Sequence, residues 1–339
     1  MTRQSIPREL LLLRHGKSDW SQPVEDTQRP LKKRGKLGAQ RMGAWLAQAA
    51  LVPEAVLASP ALRARVSAEK CLKAMGETTD GLETDPALYH GTPEMLVARI
   101  VRTPDTIRRL MLVGHNPDLE DLLHYLLPEP PALGDDGKLL PTASLVRLAI
   151  DGSWSHLALG GARLVEIRRA RKLPTLFPFP FPDGPERRER PAYYYVQSAV
   201  VPYRVHQGQL EVLVIGSSSN RHWSLPKGIA EPGLSLHESA RKEALEEAGI
   251  EGDIDASALG RYHYQKWGGS CEVTVFPMRV TRQLADEALE EPHRARQWMA
   301  AERAAECLRQ PSLGAMVHEL LHRLKAASAE SSSAKRPSS

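Results

Sequence analysis

Residues 228–250 read GIAEPGLSLHESARKEALEEAGI, in which a glycine-bearing loop runs into a stretch with helical periodicity. Ser235 and Glu238 have the spacing of a capping box, in which each residue satisfies a backbone N–H at the start of a helix. Gly249 is typical of the residue that ends a helix, because glycine enters the left-handed conformation at little steric cost. The stretch therefore predicts a helix with sharply defined ends, preceded by a loop at a fixed distance.

Three carboxylates within this helix indicate a metal site. Glu243, Glu246 and Glu247 are spaced so that the helix places them on one face, where like charges repel. A bound divalent cation relieves that repulsion, and clustered carboxylate oxygens suit Mg²⁺ or Mn²⁺. The alternative is a solvated acidic face, which the favourable pair of Glu238 with Lys242 supports. The sharp helix ends and the preceding loop favour the metal site.

The whole segment resembles the Nudix box, G-x5-E-x7-R-E-U-x-E-E-x-G-U with U aliphatic, a pattern too long to arise often by chance. The matching positions are Gly228, Glu243, Glu246, Glu247, Gly249 and Ile250. The resemblance implies a metal site formed by the three glutamates and Gly228, with Glu246 also catalytic.

Two positions depart from the box. Leu234 stands where the family has its first Glu, and Lys242 stands where it has Arg. In the family these two side chains pair and orient the neighbouring catalytic Glu, and Lys cannot reproduce the bidentate Arg fork. Because the three glutamates of the helix are retained, we expect activity to persist with an altered rate or metal preference.

The second half resembles Nudix hydrolases over residues 194–324, and three segments are similar to a branch that acts on diphosphoinositol and diadenosine polyphosphates. The segments are WSLPKG at 223–228, CEVTVFPMRVT at 271–281 and EPHRARQWM at 291–299. The resemblance makes Lys227 a substrate-binding residue, with a solvated loop lysine as the alternative. Arg294 and Arg296 are further phosphate-binding candidates with the same surface alternative. Glu272 is the candidate for a late metal-binding glutamate.

A second candidate site lies in the first half, where two histidines follow predicted strands. His15 comes just after the apolar strand 9–13, and His115 comes just after the strand 106–113. Ligands of open parallel sheets bind beyond the carboxyl ends of the strands. Arg63 at a helix start suits phosphate oxygens, and an imidazole can attack phosphorus to form a covalent phosphohistidine. A lone histidine here is more often a buried, hydrogen-bonded side chain, but the combination favours an oxyanion pocket.

Four motifs resemble the histidine phosphatase superfamily in order and spacing, and are most similar to its small SixA-like phosphohistidine phosphatases. They are RHG at 14–16, RPL at 29–31, SPALRA at 59–64 and GHN at 114–116, within a resemblance over residues 9–170. The resemblance implies these roles: His15 as nucleophile, Arg14 and Arg63 as the phosphate clamp, His115 as a group that neutralises the transferred phosphoryl group, and Arg29 as a substrate-binding residue. Glu94 is the candidate for a leaving-group acid, with a surface glutamate at a helix start as the alternative.

The chain has 339 residues, which suits two domains. Strands and helices alternate through the first half, which predicts an α/β domain with a largely parallel sheet, and the resemblance implies three layers. Strands precede, interrupt and follow the helix of the second half, an α+β pattern that matches the implied Nudix fold. We expect a SixA-like domain over 1–171, a Pro-rich linker over 172–192, a Nudix domain over 193–326 and a disordered tail over 327–339.

Composition limits the other classes of function. Apolar residues make up 42% and charged residues 25% of the chain, and the net charge of +4 is too small to indicate nucleic-acid binding. Three widely spaced cysteines fit reduced thiols better than a disulfide framework or a zinc site. No apolar run approaches membrane-spanning length. We therefore expect a cytoplasmic protein with no membrane partner and no specific nucleic-acid partner.

The leading hypothesis is a phosphohydrolase with two sites. The resemblance implies that the Nudix half, with Mg²⁺ or Mn²⁺, hydrolyses a pyrophosphate bond in a nucleotide, dinucleoside polyphosphate or inositol pyrophosphate. It implies that the other half needs no cofactor and removes a phosphate through a phosphohistidine intermediate. One alternative is an independent phosphohistidine-protein phosphatase in signalling, beside a Nudix half that acts as a housekeeping hydrolase. In the other, the Nudix half only senses a phosphorylated ligand, an alternative that Leu234 keeps open.

Overall fold

The computed structural model describes residues 7–21, 23–129, 131–134, 137–217, 220–289 and 293–333. The chain divides into two compact units, Met1–Ala192 and Tyr193–Ser339. Within the described ranges, no helix is both long and apolar enough to cross a bilayer.

The first unit is built on a mixed sheet flanked by helices. Its sheet strands are β1 (Arg8–Arg14), β2 (Ala55–Ala58), β3 (Leu82–Thr84), β4 (Arg109–Gly114), β5 (Ser144–Ile150) and β6 (Arg163–Arg169). Their order is β3-β2-β4-β1-β5-β6. The first four strands in that order run parallel, β5 runs antiparallel to β1, and β6 runs antiparallel to β5. The expected α/β domain with a largely parallel sheet is confirmed.

The run of leucines in β1 explains why this unit has three layers. Leu10 and Leu12 face one apolar cluster and Leu11 and Leu13 face another, and all four side chains are fully buried. Since successive side chains of a strand point to opposite faces, a central strand needs cover on both sides. Apolar side chains of α3 (Pro93–Ile100) and α4 (Asp118–Leu126) belong to the first cluster and cover one face of the sheet. Those of α1 (Lys33–Gln48) and α2 (Leu62–Met75) belong to the second cluster and cover the other face.

The Pro-rich segment 172–192 is part of the first unit, whereas the sequence predicts an extended linker. Strands β7 (Phe177–Phe179) and β8 (Glu186–Arg188) pair there in an antiparallel hairpin. Phe177 is buried, and the Gln48 amide of α1 donates to the Pro182 carbonyl at 3.2 Å. The backbone is extended as predicted. It also pairs, because proline is tolerated in short edge strands and the phenylalanines supply apolar surface for packing.

The second unit combines a mixed sheet with helices on both sides, which confirms the expected α+β pattern. Its strands are β9 (Val196–His206), β10 (Gln209–Gly216), β11 (Trp223–Ser224), β12 (Lys227–Ile229), β13 (Ile250–Ile254), β14 (Gly260–Lys266), β15 (Gly269–Gln283) and β16 (Arg296–Ala300). Its helices are α5 (Leu236–Ala248), α6 (Ala301–Cys307) and α7 (Pro311–Ser333). Helix α5 packs on one apolar cluster of the sheet, and α6 and α7 pack on the other.

The final helix corrects the expected boundary of the disordered tail. Helix α7 continues to Ser333, so residues 327–333 are helical rather than disordered. Alanine and glutamate in this segment favour helix, and a helix that is already formed adds each further residue at low cost. The remainder of the predicted tail, residues 334–339, lies outside the described residues.

Candidate active sites

The two histidines of the first unit meet because their strands are parallel neighbours. Strands β1 and β4 pair directly, so the residues that follow them emerge at the same edge of the sheet. The backbone N–H of His15 donates to the Gly114 carbonyl at 3.0 Å. A Cβ at Gly16 would overlap the backbone of Gly35, so only glycine lets this loop approach α1 so closely. The ring centroids of His15 and His115 are 4.9 Å apart.

A hydrogen bond fixes the tautomer of His15. Its Nδ1 lies 2.6 Å from the carbonyl oxygen of Gly16, and a carbonyl oxygen can only accept a hydrogen bond. Nδ1 therefore carries the proton, and Nε2 presents a lone pair to any ligand in the pocket. This is the protonation state that a nucleophilic imidazole requires.

The charges around His15 also favour its neutral form. Burial is the main reason that the pKa of His15 is lowered to about 4; the hydrogen bond to Gly16 opposes the shift, and the charges of Arg63, Arg14 and Arg29 add to it. Charges that act on one imidazole must lie near it. The structure therefore gathers these predicted residues around one neutral imidazole.

Several buried polar atoms of this pocket have no hydrogen-bond partner among the described residues. The Nε2 atom of His115 is 2.8 Å from the Ser59 hydroxyl, but its Nδ1 is buried without a hydrogen-bond partner among the described residues. The Nε atoms of Arg14, Arg29 and Arg63 are also buried and have no hydrogen-bond partner among those residues. Buried polar atoms normally have partners, and the oxygens of an anion would satisfy the guanidinium groups. Burial is the first cause that lowers the pKa of His115 to about 3.

Asp26 is a member of this pocket that sequence reasoning missed. Its carboxylate lies 2.7 Å from the Arg63 guanidinium and 2.5 Å from that of Arg29, and it accepts a hydrogen bond from the Tyr89 hydroxyl at 2.8 Å. Burial alone would raise the pKa of Asp26, but the donors on Tyr89 and Arg63 hold it below its ordinary value. The position of Asp26 three residues before Arg29 is the signal that would have identified it.

Glu94, the candidate acid of the first unit, has the surroundings of a surface residue. It is exposed in the first turn of α3. Its own backbone N–H and the Thr92 hydroxyl donate to its carboxylate, which lowers its pKa. A carboxylate with a lowered pKa is ionised near neutral pH and is a poor proton donor, so its environment favours the surface alternative.

The second unit holds helix α5 by the interactions that its sequence predicts. The Ser235 hydroxyl accepts from the backbone N–H of Glu238 at 3.2 Å, and the Glu238 carboxylate accepts from the backbone N–H of Ser235 at 2.8 Å. Gly249 ends the helix with φ at 59°. Both helix ends are therefore fixed, and the acidic face has a defined orientation towards the loop before it.

That loop lies against the acidic face. A Cβ at Gly228 would overlap the Glu243 carboxylate, so a larger residue in the loop would displace that side chain. The backbone N–H of Lys227 donates to the Glu247 carboxylate at 3.0 Å, and the Arg294 guanidinium pairs with the same carboxylate at 2.7 Å. The structure thus brings Gly228, Glu243 and Glu247 together as predicted by spacing, and adds Arg294 to them.

The glutamates have the chemistry of a site for a hard divalent cation. The pKa of Glu243 is raised to about 8, mainly by burial and then by the negative charges of Glu247 and Glu246. A cation relieves this combination of burial and like charge. No three His, Cys, Asp or Glu side chains converge as a metal-binding group within the described residues. Two of the glutamates instead contact cations of the chain, Glu247 through Arg294 and Glu246 through Lys242 at 3.6 Å. The carboxylates of the three glutamates fit Mg²⁺ or Mn²⁺ chemically. That they are metal ligands stays a prediction.

Two adjoining cavities lie beside the glutamates. The first has a volume of about 510 Å³, and its lining includes Gln197, Lys227, Glu243, Glu247, Tyr264 and Arg294. The second, of about 390 Å³, shares Lys227 and Tyr264 with the first and adds Trp223, Tyr262 and Arg309. The Lys227 ammonium is 3.4 Å from the Tyr264 hydroxyl, and burial lowers its pKa. The cavities therefore present cations and aromatic rings to one ligand space.

Two further candidates of the second unit lie elsewhere. Arg296 donates to the Ala248 carbonyl at 3.0 Å, so it stabilises the end of α5. Glu272 lies 3.3 Å from His263, its partner across β14 and β15. Since neighbouring residues of a strand face opposite sides, Glu272 points away from the side on which Tyr264 lines the cavities.

Family models match two separate parts of the chain. The histidine phosphatase superfamily (branch 1) matches residues 10–89, and the NUDIX domain matches residues 195–320. Nudix hydrolase 12, mitochondrial, of Arabidopsis thaliana is 26% identical over 159 residues, which cover 41% of this chain and 78% of that protein. An uncharacterized protein of Mycobacterium tuberculosis is 30% identical over 160 residues, which cover 45% of this chain and 96% of that protein.

Solved structures similar to this chain include two phosphohydrolases. The protein histidine phosphatase SixA, complexed with tungstate, is 22% identical, with a TM-score of 0.42 and coverage of 48% of this chain and 97% of that one. The Ap4A hydrolase of C. elegans is 22% identical, with a TM-score of 0.33 and coverage of 38% of this chain and 98% of that one. The two family matches fall in different units of the fold.

Proposed function

Because the chain belongs to the histidine phosphatase superfamily in its first unit and to the Nudix hydrolases in its second, we propose that each unit has its own phosphohydrolase site. The first would remove a phosphoryl group through a phosphohistidine on His15. The second would hydrolyse a pyrophosphate bond at the glutamates of α5. The neutral His15 imidazole among three arginines supports the first site, and the half-buried, mutually repelling glutamates beside Gly228 support the second.

In the first site, Nε2 of His15 would attack phosphorus while the bond from phosphorus to the leaving group breaks. Arg14, Arg29 and Arg63 would hold the phosphoryl oxygens, and their positive charges would stabilise the negative charge of the transition state. His115 would donate a hydrogen bond to the same group. Water would then attack the phosphohistidine, release phosphate and restore the neutral imidazole.

In the second site, Glu243, Glu246 and Glu247, with Gly228, would hold Mg²⁺ or Mn²⁺. When bound, the cation neutralises phosphate oxygens and assists the ionisation of water. Lys227 would bind substrate phosphate oxygens. Glu246 would accept the proton of the attacking water as the anhydride P–O bond breaks and its electron pair leaves with the departing phosphate.

We propose that the substrates are phosphorylated small molecules. A nucleotide or dinucleoside polyphosphate is supported by the rings of Trp223, Tyr262 and Tyr264 beside the glutamates, because aromatic side chains stack on bases. An inositol pyrophosphate is the competing substrate, and a phosphohistidine protein is a candidate for the first site. A cytoplasmic location is part of the same proposal and rests on the odd number and wide spacing of the three cysteines.

The second site is tested by hydrolysis of diadenosine tetraphosphate and of an inositol pyrophosphate in Mg²⁺ and in Mn²⁺, with products separated by ion-exchange chromatography. Glu246→Gln should lower turnover roughly 10²- to 10⁴-fold, because it removes the proton acceptor. Glu251→Gln, which removes a surface carboxylate paired with Arg282 at 3.0 Å, is the matched control and should change little. Equal turnover in Glu246→Gln and wild type would refute the proposal for this site.

The first site is tested with a phosphohistidine peptide and with p-nitrophenyl phosphate in metal-free buffer. His15→Ala should lower release of phosphate about a thousandfold or more, because no other group replaces the nucleophile. His124→Ala, which changes an exposed histidine of α4, should leave the rate unchanged. Mass spectrometry of wild-type protein quenched during turnover should find an acid-labile phosphate on His15, and phosphate on another residue would reject the assignment.

A further inference from the structure

A carboxylate at one of the positions that the Nudix box leaves open, between Gly228 and Leu234, lies beside the lysine of the box. The Lys242 ammonium is 2.8 Å from the Glu231 carboxylate and 3.6 Å from that of Glu246. Glu231 also lines the larger cavity beside the glutamates of α5. Lys242 thus contacts both a loop carboxylate and a predicted catalytic carboxylate, and it is closer to the loop carboxylate.

The backbone holds Glu231 in place independently of this ion pair. Its N–H donates to the buried Ser239 hydroxyl at 3.3 Å, and its carbonyl accepts from the N–H of Leu234 at 3.1 Å. Gly233, with φ at 86°, gives the turn a backbone conformation that other residues adopt only with strain. The side chain of Glu231 therefore starts from a fixed backbone position beside Lys242.

We propose that Glu231 is a positioning residue that restores the missing carboxylate of the box by holding Lys242 away from Glu246. This inference rests on the proposed function of the second site. Leu234 offers no carboxylate, and among the described residues Glu246 is the one carboxylate besides Glu231 that forms an ion pair with Lys242. A full ion pair there would compete with a divalent cation for the carboxylate oxygens and would make Glu246 a weaker proton acceptor.

The pair of departures in the sequence therefore has a common physical explanation. A lysine ammonium is a compact charge on a flexible stem, and it can pair with a carboxylate that enters from another direction than the one an arginine fork would need. With Lys at 242, a loop glutamate at 231 can substitute for a glutamate at 234. Glu231, in the turn before α5, therefore supplies the carboxylate that the box lacks at Leu234.

A double-mutant cycle tests whether Glu231 acts through Lys242. The variants are Glu231→Gln, Lys242→Met and the double variant, and Mn²⁺ affinity is measured by electron paramagnetic resonance, with kcat for diadenosine tetraphosphate at saturating Mn²⁺. Glu231→Gln should weaken Mn²⁺ binding and lower kcat by about 10- to 100-fold, as is typical of residues that orient metal ligands. In the Lys242→Met background the same change should have no further effect, because the misplaced ammonium is absent.

Additive losses in the double variant would overturn the inference, since Glu231 would then act on the metal or substrate directly. Unchanged Mn²⁺ affinity and kcat in Glu231→Gln would also overturn it. Thermal midpoints of all variants, and Glu251→Gln as a surface ion-pair control, separate these outcomes from loss of fold. The result remains distinct from a failure of the proposed function, because that failure would show as an unaffected Glu246→Gln variant while the Mn²⁺ cycle still reports on Glu231.

Discussion

Burial decides the protonation states of individual side chains in both units. It lowers the pKa of His15 to about 4 and raises that of Glu243 to about 8, because the charged form of each group loses hydration. One physical cause thus has two chemical results. It leaves an imidazole lone pair free in the first unit, and it makes a carboxylate dependent on a neighbouring cation in the second.

The lowered pKa of His15 predicts how stability depends on pH. The unfolded chain binds a proton at the ordinary value near 6.5, whereas the folded chain does so only near 4. Between these values the unfolded state holds more protons, so the free energy of unfolding rises with pH across this window. The contribution of His15 to stability is therefore present above the upper value and is lost as pH falls towards the lower one. Thermal midpoints of wild type and His15→Gln between pH 4 and 7 should show a smaller pH dependence in the variant. An NMR titration that places His15 near 6.5 would contradict the prediction.

Asp26 predicts a second effect of a single residue. Its carboxylate pairs with the guanidinium groups of both Arg29 and Arg63. A phosphate bound by the same arginines would also be negative, and Asp26 would repel it. Asp26→Asn should therefore tighten the binding of inorganic phosphate, by about tenfold for each 1.4 kcal/mol of repulsion removed. Isothermal titration calorimetry in metal-free buffer measures this change. Asp105→Asn, which removes a carboxylate paired with Arg8 at 2.9 Å, is the control, and weaker binding in Asp26→Asn would show that Asp26 mainly orients the arginines.

At the scale of elements, each site depends on how one strand or helix ends. Parallel β1 and β4 place His15 and His115 at one edge of the sheet. The capping box and Gly249 hold the ends of α5 so that its acidic face meets the loop at Gly228. In both units the candidate site includes side chains at or beside element ends, where backbone groups and short loops can approach a ligand.

The cap of α5 gives a prediction at this scale. Ser235→Ala removes the hydroxyl that accepts from the Glu238 N–H, so the second unit should lose about 1 kcal/mol of stability. Hydrogen exchange measured by mass spectrometry should show faster exchange in the first turn of α5. Ser235→Asp, which retains an acceptor, should keep the wild-type rate, and equally fast exchange in Ser235→Asp would mean that the cap does not control the helix start.

The whole molecule contains two units, each with its own apolar clusters and its own candidate site. A ligand stabilises the folded state to which it binds, by about 2.7 kcal/mol at a concentration of 100 Kd. Mn²⁺ should therefore slow hydrogen exchange in α5, and phosphate in metal-free buffer should slow it in the loops that follow β1 and β4. Glu246→Gln should reduce only the first effect and His15→Ala only the second. Protection of both regions by either ligand alone would show that the two sites are coupled.

Much of the architecture could be predicted from local pattern. The leucines of β1 required cover on both faces, and the alternation of strands and helices predicted the α/β and α+β patterns. The hairpin at 177–188 was harder to predict, because proline is usually a signal against pairing. The helical residues 327–333 were missed because their serine-rich composition resembles a disordered tail, whereas the preceding helix extends through them.

By itself, the sequence determined the features that depend on spacing along the chain. These are the two sets of motifs, the ends of α5, and the face shared by Glu243, Glu246 and Glu247, since a helix converts spacing directly into position. Only the tertiary structure showed that Asp26 meets Tyr89, 63 residues away, and that Glu231 lies beside Lys242. It alone also set the protonation states of His15 and Glu243, because burial and neighbouring charge depend on residues that are close in space but distant in sequence.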